Sequence, residues 1–231
     1  MKAVGVIDSI CFRTSKVEAL FNNDENYNIQ TVKSIGIYEK SLWLQTFGKN
    51  LPNNIIEAKI IHTIEGLNIP LKRYARTPKY QMIEFAGLYG YNEASQFLQK
   101  ELRKFMELSL LSDEVTEISR IDIALDFESK EKYNQVIRAI KQKKERVPFK
   151  VLNSTYLKTD KEGKKNYRIN IVAYPKHIKD SLDFKVYRIE FSFGSMYFRK
   201  KHTIQELQKV YEKVAKTIKR FTGLEVGIKA V

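Results

Sequence analysis

The stretch Ser119–Phe127, reading Ser-Arg-Ile-Asp-Ile-Ala-Leu-Asp-Phe, limits the fold more than any other part of this chain. Side chains along a strand alternate between two faces. Ile121, Ile123, Leu125 and Phe127 therefore share one face, and Arg120, Asp122, Ala124 and Asp126 share the other. A helix would scatter the same residues around its circumference, so the segment reads as a strand with one buried and one charged face. The pattern recurs twice. In Tyr187–Phe193, Tyr187, Ile189, Phe191 and Phe193 alternate with Arg188, Glu190 and Ser192. In Tyr167–Tyr174, Ile169 and Ile171 alternate with Arg168, Asn170 and Tyr174. A sheet made of such strands has to bury its apolar face under helices.

The chain supplies those helices. Asn92 is placed to cap one that runs to about Leu111, with Ala94, Phe97, Leu98, Leu102, Phe105 and Met106 at helical spacing. Glu131–Lys144 carries Tyr133, Val136, Ile137 and Ile140 on one stripe and ends before Pro148. Thr203 and Glu206 form a capping box for a last helix, whose stripe is Ile204, Leu207, Tyr211, Val214, Ile218 and Phe221 and whose stop is Gly223. The first third reads mostly as strands: Ala3–Arg13, Thr31–Tyr38, Leu42–Phe47 and Tyr80–Leu88, with a short helix at Ser15–Phe21 and Ile55–Ile64 open between helix and strand. Phe149–Lys158 and Asn166–Tyr174 read as a hairpin around Asp160-Lys161-Glu162-Gly163. The expected class is α+β, with a largely antiparallel central sheet and helices packed on one face. The expected organisation is a single domain over 1–231, its core and motifs in 79–222, with 1–78 as a candidate N-terminal subdomain.

If the patterned strands are neighbours, their charged faces bring Asp122, Asp126 and Glu190 together, with Arg120 and Arg188 beside them. Clustered carboxylates repel one another, and a hard divalent cation, Mg²⁺ or Mn²⁺, offsets that. The other reading is a solvated face with ion pairs Arg120–Asp122 and Arg188–Glu190. The net charge of +14, from 41 basic and 27 acidic residues, calls for a polyanionic partner. Arg138, Lys141, Lys143, Lys144 and Arg146 crowd the end of one helix; Lys158, Lys161, Lys164 and Lys165 decorate the hairpin; Arg199, Lys200 and Lys201 follow the Glu190 strand. Tyr156, Tyr167, Tyr174, Tyr187, Tyr197 and Phe198 interleave with them. Lysines track phosphates and rings stack on unpaired bases, a mixture suited to single strands. Cys11 is the only cysteine, so no disulfide framework is expected. Asp8 interrupts the apolar run near the start, and no stretch approaches a membrane span, so the expectation is a cytoplasmic protein with no membrane partner. No P-loop, zinc spacing or nucleophile elbow is present in the sequence.

Ile118–Phe127 resembles the "sRiDlAxDf" strand of the replication-initiation factor family, which holds rolling-circle plasmid and phage initiators and related conjugative relaxases. Asn170-Ile171-Val172-Ala173-Tyr174-Pro175-Lys176 resembles that family's "RiYdK" element, and Val186-Tyr187-Arg188-Ile189-Glu190-Phe191 its "vRiE" strand. Glu84-Phe85-Ala86-Gly87-Leu88-Tyr89-Gly90 resembles the glycine-containing segment before the first helix. The resemblance covers about residues 80–195 and implies an endonuclease fold of the HUH type without its histidine pair. The histidines are His62, His177 and His202, of which His177 is the one placed to serve as a ligand or base.

The resemblance also implies an activity. A tyrosine hydroxyl attacks a phosphodiester in single-stranded DNA, or in a hairpin origin, and a divalent metal on the scissile phosphate supports the attack. Thr155-Tyr156 best matches the nucleophile's position, so Tyr156 is the expected nucleophile, with Asp122, Asp126 and Glu190 as metal ligands and Tyr174 structural. The expected phosphate contacts are Arg120, Arg138, Lys141, Lys143, Lys144, Lys158, Lys176, Arg188, Arg199 and Lys200. A host helicase is the implied protein partner. Lys158-Thr159-Asp160 stands where the family often has glycine-serine-arginine, which favours a second reading as a DNA-binding module without catalysis. A third reading is an RNA-binding protein with aromatic rings on its sheet.

Overall fold

The computed structural model describes residues 2–15, 17–21, 25–32, 37–142, 147–151, 153–159, 169–198 and 200–229. They form two compact units: unit 1 comprises 1–9, 120–202 and 206–231, and unit 2 comprises 10–119 and 203–205. The strands β1 (Lys2–Thr14) and β6 (Glu117–Phe127) contribute to both.

Unit 2 holds the second half of β1, then α1 (Val17–Phe21), β2 (Tyr27–Val32), α2 (Ile37–Phe47), β3 (Ile55–Thr63), β4 (Asn68–Tyr74), β5 (Gln81–Ala86), α3 (Glu93–Leu111) and the opening of β6. Its strands lie in the order β2-β3-β4-β5-β1. Alternation along these strands separates two apolar layers. Phe12, Phe21, Phe85 and Phe105 pack ring against ring and fasten α1 and α3 to one face. Lys59 and Gln81 reach Glu18 of α1 from that same face. On the opposite face, fully buried Trp43 of α2 packs with Val32, Leu51, Ile55, Ala58 and Ile60. Asn92 caps α3 as its position implied, its side-chain oxygen accepting from the Ser95 N–H at 3.0 Å.

Unit 1 holds the first half of β1, the body of β6, α4 (Lys130–Gln142), β7 (Val147–Val151), β8 (Ser154–Thr159), β9 (Ile169–Pro175), α5 (Lys176–Lys179), β10 (Tyr187–Gly194) and α6 (Ser195–Phe198). The two-residue β11 (His202–Thr203) straddles the boundary; a 3-10 turn at Ile204–Glu206, α7 (Leu207–Thr222) and β12 (Glu225–Lys229) follow. The strand order is β1-β6-β10-β9-β8-β7, antiparallel from β6 through β7, with β12 pairing parallel to β1. Ile121, Ile123, Leu125, Ile189, Phe191, Phe193, Ile169, Ile171 and Ala173 are all buried on one face. α4 covers that face, its Tyr133 ring lying 6.4 Å from Phe127 and 5.2 Å from Tyr187. α7 buries Leu207, Val210, Tyr211, Val214, Ile218 and Phe221, each contributing about 1.5–3 kcal/mol of transfer free energy.

The α+β class, the antiparallel sheet and the alternation of β6 and β10 follow the sequence expectation. Three local expectations do not hold. Thr31–Tyr38 and Leu42–Phe47 are not two strands: β2 ends at Val32 and α2 spans Ile37–Phe47. The reason is the i, i+4 pair Trp43 and Phe47, whose rings meet at 4.5 Å on one side of a helix. The Thr203 capping box is not formed; the 3-10 turn intervenes and α7 begins at Leu207. The hairpin strand Phe149–Lys158 is instead divided between two strands, β7 and β8, and Tyr156 of β8 stands opposite Val172. The expected turn Asp160–Gly163 lies outside the described residues. β4 and β12 were not anticipated.

Candidate nucleic-acid interface

The face of the unit 1 sheet turned away from α4 carries the charged residues, and the strand register arranges them in rows. Asp126, Arg188 and Tyr174 lie side by side across β6, β10 and β9. The next row is Ala124, Glu190, Val172 and then Tyr156 on β8. The third row is Asp122, Ser192 and Asn170, and Arg120 stands opposite Gly194 at the end. The patterned strands are therefore neighbours, and the three expected carboxylates share a face with the expected nucleophile.

Their partners organise this face. Arg188 has no exposed surface. Its Nε and Nη2 donate to the two oxygens of Asp126 at 2.7 and 2.8 Å, a fork that matches a carboxylate edge to edge. Its Nη1 donates to Asp8 at 2.8 Å and lies 4.0 Å from Glu190. Tyr174, buried, donates its hydroxyl to Glu190. Burial and the Glu190 charge both push the Tyr174 phenol far above its ordinary range. Burial opposes the charge on Arg188, but Asp126 and Asp8 outweigh it and hold the guanidinium more firmly protonated than usual. Asp122 is buried and grips Arg120 through both carboxylate oxygens, one of them 3.0 Å from Nε.

Asp8, on β1, belongs to this network and was not singled out as a site residue from the sequence. The signal was present: a carboxylate inside an apolar strand needs a buried partner. Burial first, then repulsion from Glu190, push its carboxyl up to about 6 despite the Arg188 contact and the Lys176 charge. One guanidinium shared among three acids, with its best edge committed to Asp126, does not fully compensate Asp8.

These carboxylates do not fit one cation site as they stand. Asp122 and Asp126 are four residues apart on one strand, roughly 13 Å. Each is held by its own arginine. Among the described residues, no three His, Cys, Asp or Glu side chains are grouped so as to hold a metal ion.

Toward β8 the same face opens into a groove of about 320 Å³, lined by Arg120, Tyr156, Asn170, Val172, Ser192 and Gly194. Tyr156 is half-buried there. The other expected contacts divide. Arg138 and Lys141 are exposed on α4, across the sheet from this groove, and Lys200 is exposed after α6. Lys176 is a correction: it is buried and paired with Asp180 at 2.6 Å, since it follows a core strand rather than sitting on a loop. Arg188 is another: it is an internal counter-ion instead of a surface phosphate contact. His177 is turned to the other side, with Nδ1 2.7 Å from the Val186 carbonyl oxygen and its ring edge-on to Tyr187. Lys143, Lys144 and Arg199, and the side chain of Lys158, lie outside the described residues.

No protein-family model matches the chain. No curated protein matches it either. Among solved structures it is similar to a rolling circle replication initiator protein from Geobacillus stearothermophilus, with a TM-score of 0.50 and 12% identity over 92% of this chain and 80% of that one. At this identity the likeness is one of fold. What the two share is an α+β architecture with a large, mainly antiparallel sheet. Among the described residues, no helix is long and apolar enough to cross a membrane.

Proposed function

We propose that this chain is a DNA-binding protein of the replication-initiator type that takes single-stranded DNA, or the loop of a hairpin origin, along the charged face of unit 1 and cuts it with Tyr156. The observation that supports this reading is the groove, which Tyr156 and Arg120 line together on the face predicted to be active. Arg120, oriented by Asp122, binds the scissile phosphate and offsets the charge that builds on its oxygens. Asn170 and Ser192 add hydrogen-bonding groups along the strand. The Tyr156 oxygen bonds to phosphorus, the bond from phosphorus to the 3′ oxygen breaks, the tyrosine proton passes to solvent, and the released 3′ oxygen takes one up. The product is a 5′-phosphotyrosyl linkage and a free 3′ hydroxyl. A host helicase is the protein partner such a step calls for.

A second reading is a binding module without cleavage. It is favoured by the arginines that already neutralise Asp122 and Asp126 and by the separation of the expected cation ligands. One experiment decides between them. Labelled single-stranded and hairpin oligonucleotides are incubated with the protein in Mg²⁺, Mn²⁺ or EDTA and resolved on a denaturing protein gel. The proposal expects a slow band present in wild type and absent in Tyr156→Phe and Asp122→Ala. A band that persists in Tyr156→Phe removes Tyr156 from the role. Salt-sensitive binding without any band selects the binding module. The EDTA lane tests the need for a cation, through which no step above is routed.

A further inference from the structure

The face of unit 2 covered by α2 contains a charge network that the proposed cleavage does not use. Lys72 and Glu84 stand on adjacent strands, each 7% exposed, with Nζ 2.9 Å from the carboxylate and 5.5 Å from the Trp43 ring centroid. A buried ion pair of this kind contributes little to stability, because a well-packed apolar pair does as well or better. What the pair does supply is a carboxylate fixed in place. Glu84 lines a groove of about 390 Å³, within the size range of small-molecule sites, with Phe47, Asn68, Pro70, Ala86 and Leu98 among its walls.

The groove is firm on one side and adjustable on the other. Ser95 ties the bend between β5 and α3 into place, donating to the Gly87 carbonyl at 2.8 Å and accepting from the Gly90 N–H at 2.9 Å. Gln99 holds the Leu88 carbonyl at 2.6 Å. Lys49, by contrast, has a side chain 47% exposed and meets both Glu84 oxygens only at 3.4 Å. It sits at the groove wall as a cation able to swing toward an incoming anion.

A fixed carboxylate between apolar walls, an aromatic ring and an adjustable ammonium describe a ligand with paired N–H donors, a flat apolar body and an attached anion. Guanine presents two adjacent donors on its pairing edge, and a carboxylate accepts both at once. Adenine and cytosine each place a ring acceptor beside their amino group, and thymine flanks its one donor with carbonyls, so each sets an oxygen or nitrogen lone pair against Glu84. We propose that this groove is a guanine subsite. Glu84 accepts from the base edge, Phe47 packs on the ring, and Lys49 meets the phosphate. The guanine comes either from unpaired DNA, which rests on the single-strand reading above, or from a free guanine nucleotide, which does not.

Binding is measured by fluorescence polarisation with wild-type full chain. The probes are an all-thymine oligonucleotide carrying one guanine, the same oligonucleotide with inosine or adenine at that position, and labelled guanosine monophosphate. Inosine lacks the amino group alone, so its oligonucleotide should bind about tenfold more weakly or worse. Glu84→Gln should lose the preference, while Lys49→Met should weaken guanine probes without changing their ranking. Preference shown by the oligonucleotide identifies DNA as the source, and preference confined to the mononucleotide identifies the free nucleotide. Equal binding of guanine, inosine and adenine probes overturns the subsite, as does binding of none of them. The inosine comparison needs no variant, so it stands even where Glu84→Gln does not fold. Tyr156 plays no part in this readout, so loss of the nicking band and loss of guanine preference are separate results.

Discussion

Replacing Arg188 with methionine keeps an unbranched apolar stem and removes the guanidinium that holds three acids together. Asp126 loses both hydrogen bonds of its fork, and Asp8 loses its 2.8 Å contact. Breaking a buried pair by removing one partner costs about 3–5 kcal/mol. The loss has a ceiling set by protonation. Holding an ordinary aspartic acid neutral costs about 4 kcal/mol at pH 7 and roughly 1.5 kcal/mol at pH 5. Asp8 carries the pH dependence: without the Arg188 charge that lowers it, its carboxyl moves further above the unfolded value, so the variant's stability is greatest at low pH and falls as pH rises. Urea unfolding followed by far-ultraviolet circular dichroism should therefore show Arg188→Met destabilised by about 4 kcal/mol near pH 7.5 and by about 1–2 kcal/mol near pH 5. An equal loss at the two pH values, or a loss under about 1 kcal/mol at the higher one, would refute the view that Arg188 is the counter-ion of this face.

The Asp8 carboxyl makes its own contribution. Its displacement from 3.8 to about 6 means that stabilisation present below the unfolded value is lost as pH rises through the folded one, about 3 kcal/mol in all. The difference in unfolding free energy between wild type and Asp8→Asn should shift by that amount between about pH 3.5 and pH 7, in favour of the variant at the higher pH. Gly223 ends α7 with φ of 73°, a left-handed conformation that a β-carbon disfavours. Gly223→Ala should cost about 1 kcal/mol and lower the melting temperature by about 2–4 °C, measured calorimetrically.

The elements that could be read from the sequence are those whose environment is written into a periodic pattern. β6 and β10 alternate strictly because one side meets α4, and α3 announces itself through Asn92 and its stripe. α2 could not be read in this way. Leu42–Phe47 is equally compatible with a strand, and the contact of Trp43 with Phe47 one turn on, inside the pocket formed by Val32, Ala58 and Ile60, decides for a helix. The same division runs through the charged face. Alternation correctly grouped Asp122, Asp126 and Glu190 on one side of the sheet. It was silent about distance along the strand and about which arginine each acid would find. Lys176 and Arg188 looked like surface cations because residue type carries no record of burial. Asp8 was missed because its partner is 180 residues away.

The pairing of β12 with β1 bears on how the chain is made. Unit 2 is almost wholly one continuous stretch, so its layers can close while later residues are still being added. Unit 1 draws on three separated pieces, and Lys2–Val6 waits for Glu225–Lys229. At about 5–20 residues per second that interval is roughly 10–45 s. Asp8 and Asp126 spend part of it as solvated acids, since Arg188 has not yet emerged. The charged face is thus a late product of synthesis, and a ribosome that stalls before residue 188 leaves unit 2 lacking only Thr203–Gln205 while unit 1 has no counter-ion for its acids.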